Sequence, residues 1–213
     1  MTPELSSLHA AEVCALAPVI PVLVIGDAGA AAGLAEALVA GGLPALEVTL
    51  RTPAALEAIA EMARIPGGRV GAGTLLTPAD VEAAKKAGAT FGVSPGSTPE
   101  ILDAALANDL PMLPGAATAT EAMALLARGF SVQKFFPAEA AGGIRMLKSL
   151  AAPLPQIRFC PTGGIGAGNA AEYLALPNVL CVGGSWVAPP DAVAKADWPA
   201  ITALAKAAAG LPR

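Results

Sequence analysis

Histidine occurs once in this chain, at position 9, and cysteine three times, as Cys14, Cys160 and Cys181. A zinc site usually takes about three or four His, Cys or carboxylate ligands, so no zinc centre is expected. The acidic residues form no convergent set for Mg²⁺ either, and no metal or other cofactor is expected. His9 lies in an N-terminal helical stretch and reads as a structural or surface residue. Charged residues make up 14% and aromatics 4%, against roughly 25% charged in an average soluble protein. The net charge is −4 and there is no basic block, so nucleic acid is excluded as a partner.

Long apolar runs are also missing. The longest, "VCALAPVIPVLVIG" at 13–26, is broken by Pro18 and Pro21 and stops at Asp27. A membrane helix needs about 20 apolar residues, so no membrane span is expected. The start, "MTPELSS", has no basic n-region, and no signal peptide is expected. The three cysteines sit in apolar runs, as buried free thiols in a reducing cytoplasm would.

What the chain does have is apolar surface. Hydrophobic residues make up 54% of 213, which suits one domain with a substantial core. So few charges cover a lone globule poorly, so buried subunit interfaces are expected as well.

Short β-branched or apolar runs alternate with Ala/Leu/Glu-rich stretches of helical length. The strand candidates are 19–25, 45–50, 69–75, 90–95, 110–116, 132–137, 157–163 and 179–185. Eight such repeats after a helix near 4–16 imply a parallel sheet and predict an α/β fold, a (β/α)8 TIM barrel with an N-terminal helix. The domain spans 1–213, with 1–17 forming the helix that packs on the barrel. A doubly wound open sheet is the alternative. Against it, the segment after the first strand reads "GDAGAAAG" in place of a GxGxxG turn.

Barrel chemistry collects at the C-terminal strand ends. In "LEVTLR", alternation places Glu47, Thr49 and Arg51 on one face, which must be the inner one because the apolar face meets the helices. An internal Glu–Arg pair that only holds the barrel together would give the same pattern. In "VQKFF", Lys134 shares a face with Val132 and Phe136; a lysine reaching up to the barrel rim would fit too. Glu47 and Lys134 lie on opposed strands and reach for one central volume. Little water and a nearby Arg51 would favour the neutral amine of Lys134, a nucleophile toward carbonyl carbon. A carboxylate in the same cavity can move the protons such chemistry requires. The strand ends "CPTGGIG" (160–166) and "VGGSW" (182–186) carry paired glycines before helical stretches, as a phosphate site would. Tight turns without a ligand remain the other reading. Three classes of function fit these residues: a Schiff-base aldolase, a phosphosugar isomerase or decarboxylase using Lys134 electrostatically, and a non-catalytic phosphosugar-binding protein.

Six segments, "LEVTLRT" (46–52), "VGAGT" (70–74), "SPG" (94–96), "KFFPAE" (134–139), "RFCPTGGI" (158–165) and "VGGSW" (182–186), run in order along nearly the whole chain. Together they resemble the 2-keto-3-deoxy-6-phosphogluconate (KDPG) and 4-hydroxy-2-oxoglutarate (KHG) aldolases. The resemblance implies a homotrimeric class I aldolase that releases pyruvate and an aldehyde from a keto-acid substrate without metal. It implies that Lys134 forms the Schiff base and Glu47 is the general acid/base. Arg51 and Thr74 would hold the pyruvyl carboxylate, and Pro95 and Phe136 would wall the pocket. Thr162 would stand by the aldehyde portion. Gly163, Gly164, Gly184 and Ser185 would bind the phosphate. The segment "PVLVIGDAGA" has no Lys or Arg, so phosphate binding would rest on backbone N–H groups and Ser185.

Overall fold

The computed structural model describes residues 1–213. Its strands are β1 (Val19–Leu23), β2 (Ala45–Thr49), β3 (Arg69–Gly73), β4 (Phe91–Val93), β5 (Met112–Leu113), β6 (Gly115–Ala116), β7 (Val132–Phe135), β8 (Arg158–Pro161) and β9 (Val182–Gly184). The helices are α1 (Pro3–Ala15), α2 (Ala31–Ala40), α3 (Ala55–Met62), α4 (Pro78–Ala87), α5 (Pro99–Ala107), α6 (Ala119–Ala127), α7 (Gly143–Ala151), α8 (Ala170–Leu174), α9 (Pro190–Ala194) and α10 (Trp198–Ala209). All eight expected strand positions are occupied. The fifth is split in two by Pro114, which has no N–H to give to a ladder.

A curled six-stranded parallel sheet runs β5-β4-β3-β2-β1-β9, and a three-stranded parallel sheet runs β6-β7-β8. In register, Glu47 stands beside Val22 on one side and Gly71 on the other. Lys134 stands between Gly115 and Cys160. Two isolated parallel bridges, Phe159 with Val179 and Thr162 with Gly183, link the end of the smaller sheet to the strand-9 segment.

Away from their C-terminal ends the strands are mostly apolar on both faces, as buried parallel strands are. The outward residues Leu46, Val48, Phe135 and Phe159 join the helices in a core of 50 buried residues. The inward residues Ile20, Ala45, Phe91, Val93, Leu113, Val132, Cys160 and Cys181 form a separate cluster of 11 with Ala10, Val13 and Cys14 of α1. This helix therefore closes the N-terminal end of the inner face. Two serines fasten it: the Met112 N–H donates to Ser6 Oγ at 2.9 Å and the Ser131 N–H to Ser7 Oγ at 2.9 Å. The three cysteines are free and buried. A hydrogen bond to Cys160, together with burial, pushes the Cys14 thiol well up, away from the reactive thiolate. His9 is half-buried on α1, as a structural residue would be.

Helix ends follow local chemistry. Thr77 with Asp80, and Thr118 with Glu121, form reciprocal capping boxes at α4 and α6. Gly88 ends α4 in the left-handed conformation. No helix is long and apolar enough to cross a membrane.

Candidate active site

Above the apolar floor, the inner face becomes polar toward the C-terminal strand ends. Glu47, Thr49, Lys134 and Thr162 are all buried there. Nζ of Lys134 lies 3.3 Å from Oε1 of Glu47, with the two side chains only 7% and 4% exposed. An unpaired charge at this depth would be strongly destabilising, and each ion compensates the other. Moving one proton from Nζ to Oε1 converts the ion pair into an amine and a carboxylic acid. Those are the forms needed for attack on a ketone and for loss of water from the adduct. Nζ also lies 5.2 Å from the centroid of the half-buried Phe136 ring.

The pair fits because β3 leaves room for it. A Cβ on Gly73 would collide with the Glu47 carboxylate. Gly183 on β9 likewise makes way for the Thr162 hydroxyl. Gly73 belongs to the "VGAGT" segment, and its contribution is the lack of a side chain, which only the register with β2 reveals.

The rest of the polar face differs from simple alternation. The Thr49 hydroxyl donates to the Leu23 carbonyl at 2.8 Å and the Thr52 hydroxyl to the Ile25 carbonyl, so these hydroxyls pin β2 to β1. The Arg51 N–H donates back to the Thr49 carbonyl at 2.8 Å. This tight turn ends the strand, and Arg51 stands exposed at the rim with no ion pair. Glu47 is thus partnered by Lys134, and the internal Glu–Arg pair is not formed. Thr74, just past β3, is half-buried with φ +30°. That is a rare conformation for a β-branched residue, of the kind that collects at functional sites. Pro95 is half-buried after Ser94, whose buried hydroxyl has no partner.

At the opposite rim, Gly163 and Gly164 have φ +105° and +77°, values open to glycine and strained for other residues. The N–H groups of Gly163, Gly164, Ile165 and Ser185 have no acceptor within the chain. A row of such groups is a concavity suited to an anion. Gly184 is different: it lies inside β9 and gives space to the Trp186 ring. The helices that follow, α8 and α9, have five residues each, so their dipoles contribute little and the loop N–H groups dominate. Beside the exposed Ser185, a cavity of about 710 Å³ is lined by Val22, Val24, Trp198 and Asp27 among others, with no Lys or Arg. Asp27 accepts from the Gly29 N–H at 2.9 Å and caps the turn there. No group of three His, Cys, Asp or Glu residues is arranged to hold a metal ion.

The "KDPG and KHG aldolase" family model matches residues 10–204. A 2-dehydro-3-deoxy-phosphogluconate aldolase of Zymomonas mobilis is 53% identical over 198 residues, 93% of this chain and 94% of that protein. The KHG/KDPG aldolase of Escherichia coli K12 is 48% identical over 90% of each chain. The crystal structure of the Zymomonas mobilis ZM4 KDPG aldolase with 3-phosphoglycerate superposes with a TM-score of 0.91 at 52% identity, covering 95% of each chain. A Legionella pneumophila KDPG aldolase, with pyruvate captured as a covalent carbinolamine, has a TM-score of 0.91 at 48% identity, covering 94% of this chain and 98% of that one. With its family model spanning most of the sequence and its relatives near half identity, this chain belongs to the KDPG and KHG aldolase family.

Proposed function

We propose that this protein is a class I aldolase that cleaves 2-keto-3-deoxy-6-phosphogluconate, or a related 2-keto-4-hydroxy acid, to pyruvate and an aldehyde. The observation that carries the reading is the buried Lys134–Glu47 pair, with Nζ 3.3 Å from Oε1. A binding protein has no use for an amine beside a carboxylate at that depth. An isomerase or decarboxylase using Lys134 only as a charge is not what the aldolase relatives support.

The amine of Lys134 adds to the C2 carbonyl of the substrate, and Glu47 gives the proton that lets water leave the carbinolamine. The iminium formed is an electron sink. Glu47, now a carboxylate, takes the C4 hydroxyl proton directly or through a water, the C3–C4 bond breaks, and its electron pair becomes the enamine. The aldehyde departs. Protonation at C3 and hydrolysis then release pyruvate and regenerate the lysine. Because the iminium accepts the electrons, the step calls for no metal. Arg51 and the Thr74 region bind the pyruvyl carboxylate, Arg51 as an exposed guanidinium swinging from the rim. Pro95 and Phe136 wall the pocket, and Thr162 contacts the aldehyde portion. Gly163, Gly164, Gly184 and Ser185 hold the phosphate, largely through backbone N–H groups.

The two sheets are read as one closed (β/α)8 barrel forming a single domain over 1–213, capped by the helix within 1–17. The break at Pro114 between β5 and β6, and the two bridges from β8 to the β9 segment, support closure at both seams. A homotrimer is supported by the low charge content and by Val24, Leu56 and Leu76. These are exposed apolar residues, Val24 and Leu76 on the connections after β1 and β3 and Leu56 in the first turn of α3. The compartment is the cytoplasm. The test is pyruvate release from the phosphorylated keto acid in the presence of EDTA, followed with lactate dehydrogenase and NADH. One pyruvate per substrate is expected, and no pyruvate would overturn the reading.

A further inference from the structure

The phosphate turn is held from behind by residues that no motif assigned. Three successive carbonyls are tied down. The Thr162 carbonyl accepts from the Ala138 N–H at 2.8 Å, and the Gly163 carbonyl from the Glu139 N–H at 3.1 Å. The Gly164 carbonyl accepts from Asn169 Nδ2 at 3.1 Å. In a trans peptide the N–H of the next residue points opposite to the carbonyl. Anchoring these three carbonyls therefore aims the N–H groups of Gly163, Gly164 and Ile165 away from the anchors. Those are the three consecutive N–H groups without an acceptor in the chain. The next one, of Gly166, is already taken by Asn169 Oδ1 at 2.8 Å. Asn169 thus both anchors the last carbonyl and closes the row.

Glu139 is fixed in turn. Its Oε1 accepts the Tyr173 hydroxyl, and Tyr173 is fully buried. The fit leaves no slack. A Cβ on Gly164 would meet Glu139 Cγ at 2.6 Å, and one on Gly143 would meet the Tyr173 hydroxyl at 3.0 Å. A carboxylate so near an anion site repels the anion, so its charge is not what the site gains from Glu139; its acceptor oxygen is.

We propose that Glu139, Tyr173 and Asn169 are positioning residues that aim the N–H groups of Gly163, Gly164 and Ile165 at the substrate phosphate. This rests on the aldolase reading above. It predicts that their loss weakens recognition of the phosphate and leaves the Schiff-base end intact. The experiment compares kcat and KM for 2-keto-3-deoxy-6-phosphogluconate and for 2-keto-3-deoxygluconate, which differ only in the phosphate. Pyruvate trapping on Lys134 is measured in the same preparations. Tyr173→Phe, Glu139→Ala and Asn169→Ala should each raise KM for the phosphorylated acid about fivefold to tenfold. kcat, KM for the unphosphorylated acid and the yield of pyruvate adduct should stay within about twofold of wild type. Glu139→Gln, which keeps the acceptor, should restore wild-type KM. An equal change for both substrates, or none for either, overturns the proposal. Should Tyr173→Phe fail to fold, the half-buried Asn169→Ala decides alone. No adduct on Lys134 in the wild-type protein would instead sink the aldolase reading itself.

Discussion

The two ends of the site are built from different materials. The proposed reacting end consists of side chains: Lys134 and Glu47, buried, oppositely charged and 3.3 Å apart. The proposed phosphate end consists of backbone: N–H groups of a double-glycine turn at the rim, with Asp27 the only ionisable side chain lining the neighbouring cavity. A buried ion pair fails when either partner goes, because the survivor is left charged in a dry place. A row of backbone donors has no single residue to delete. It fails when the turn loses its shape. On the proposed assignment chemistry and substrate selection are separable, and mutations at the two ends should leave different kinetic signatures.

The largest effect is expected from Lys134→Met, which keeps the apolar stem and removes the amine. Pyruvate release should fall by at least about 10⁴-fold for phosphorylated and unphosphorylated acids alike. Next comes Gly73→Ala, whose new methyl displaces the Glu47 carboxylate. We expect kcat to drop by about 10²- to 10³-fold, again for both substrates, within the range that loss of a general acid/base produces. Gly164→Ala sharpens the contrast. It forces a side chain into φ +77° and against Glu139, and should raise KM about tenfold for the phosphorylated acid alone. Asp27→Lys supplies a cation to the backbone-built end. KM for the phosphorylated acid should fall about threefold at low salt, and the gain should vanish at high salt. A comparable gain for the unphosphorylated acid would contradict the assignment of that rim to phosphate. The smallest effect concerns stability at high pH. Burial, with the hydrogen bond to Glu139 and its charge, pushes the Tyr173 phenol well above its ordinary range. A phenol raised on folding destabilises the fold once the unfolded chain begins to ionise. Stability from this source is intact below about pH 10 and is lost as pH rises beyond it. Thermal unfolding from pH 8 to 11 should show a steeper decline in wild type than in Tyr173→Phe.

The same division decides what could be read from the sequence. The parallel fold was legible because eight short apolar runs recur at even spacing, and alternation in "LEVTLR" and "VQKFF" places Glu47 and Lys134 on the inner face. Arg51 was not, because alternation ends at the turn after Thr49 and the side chain leaves the stack. The Pro114 break was visible as a residue but not as a division of one strand into two. Gly73 escaped because its contribution is empty space, which only the Glu47 side chain on the adjacent strand defines. Gly184 falls inside the strand expected at 179–185, where it ends β9 and makes way for the Trp186 ring. Glu139 sat in a quoted motif without a role. Asn169 and Tyr173 lay in "GNAAEY", outside every motif, since a positioning residue acts through a contact that only the folded chain creates. An Asn a few residues beyond a double glycine was the one available signal.

The most direct test of the account is to incubate the protein with pyruvate and sodium borohydride and map the product by mass spectrometry. The account predicts a reduced pyruvyl adduct on Lys134 and on no other lysine. Folded protein that binds pyruvate yet yields no adduct at Lys134 would contradict it, leaving that lysine an electrostatic partner of Glu47 and nothing more.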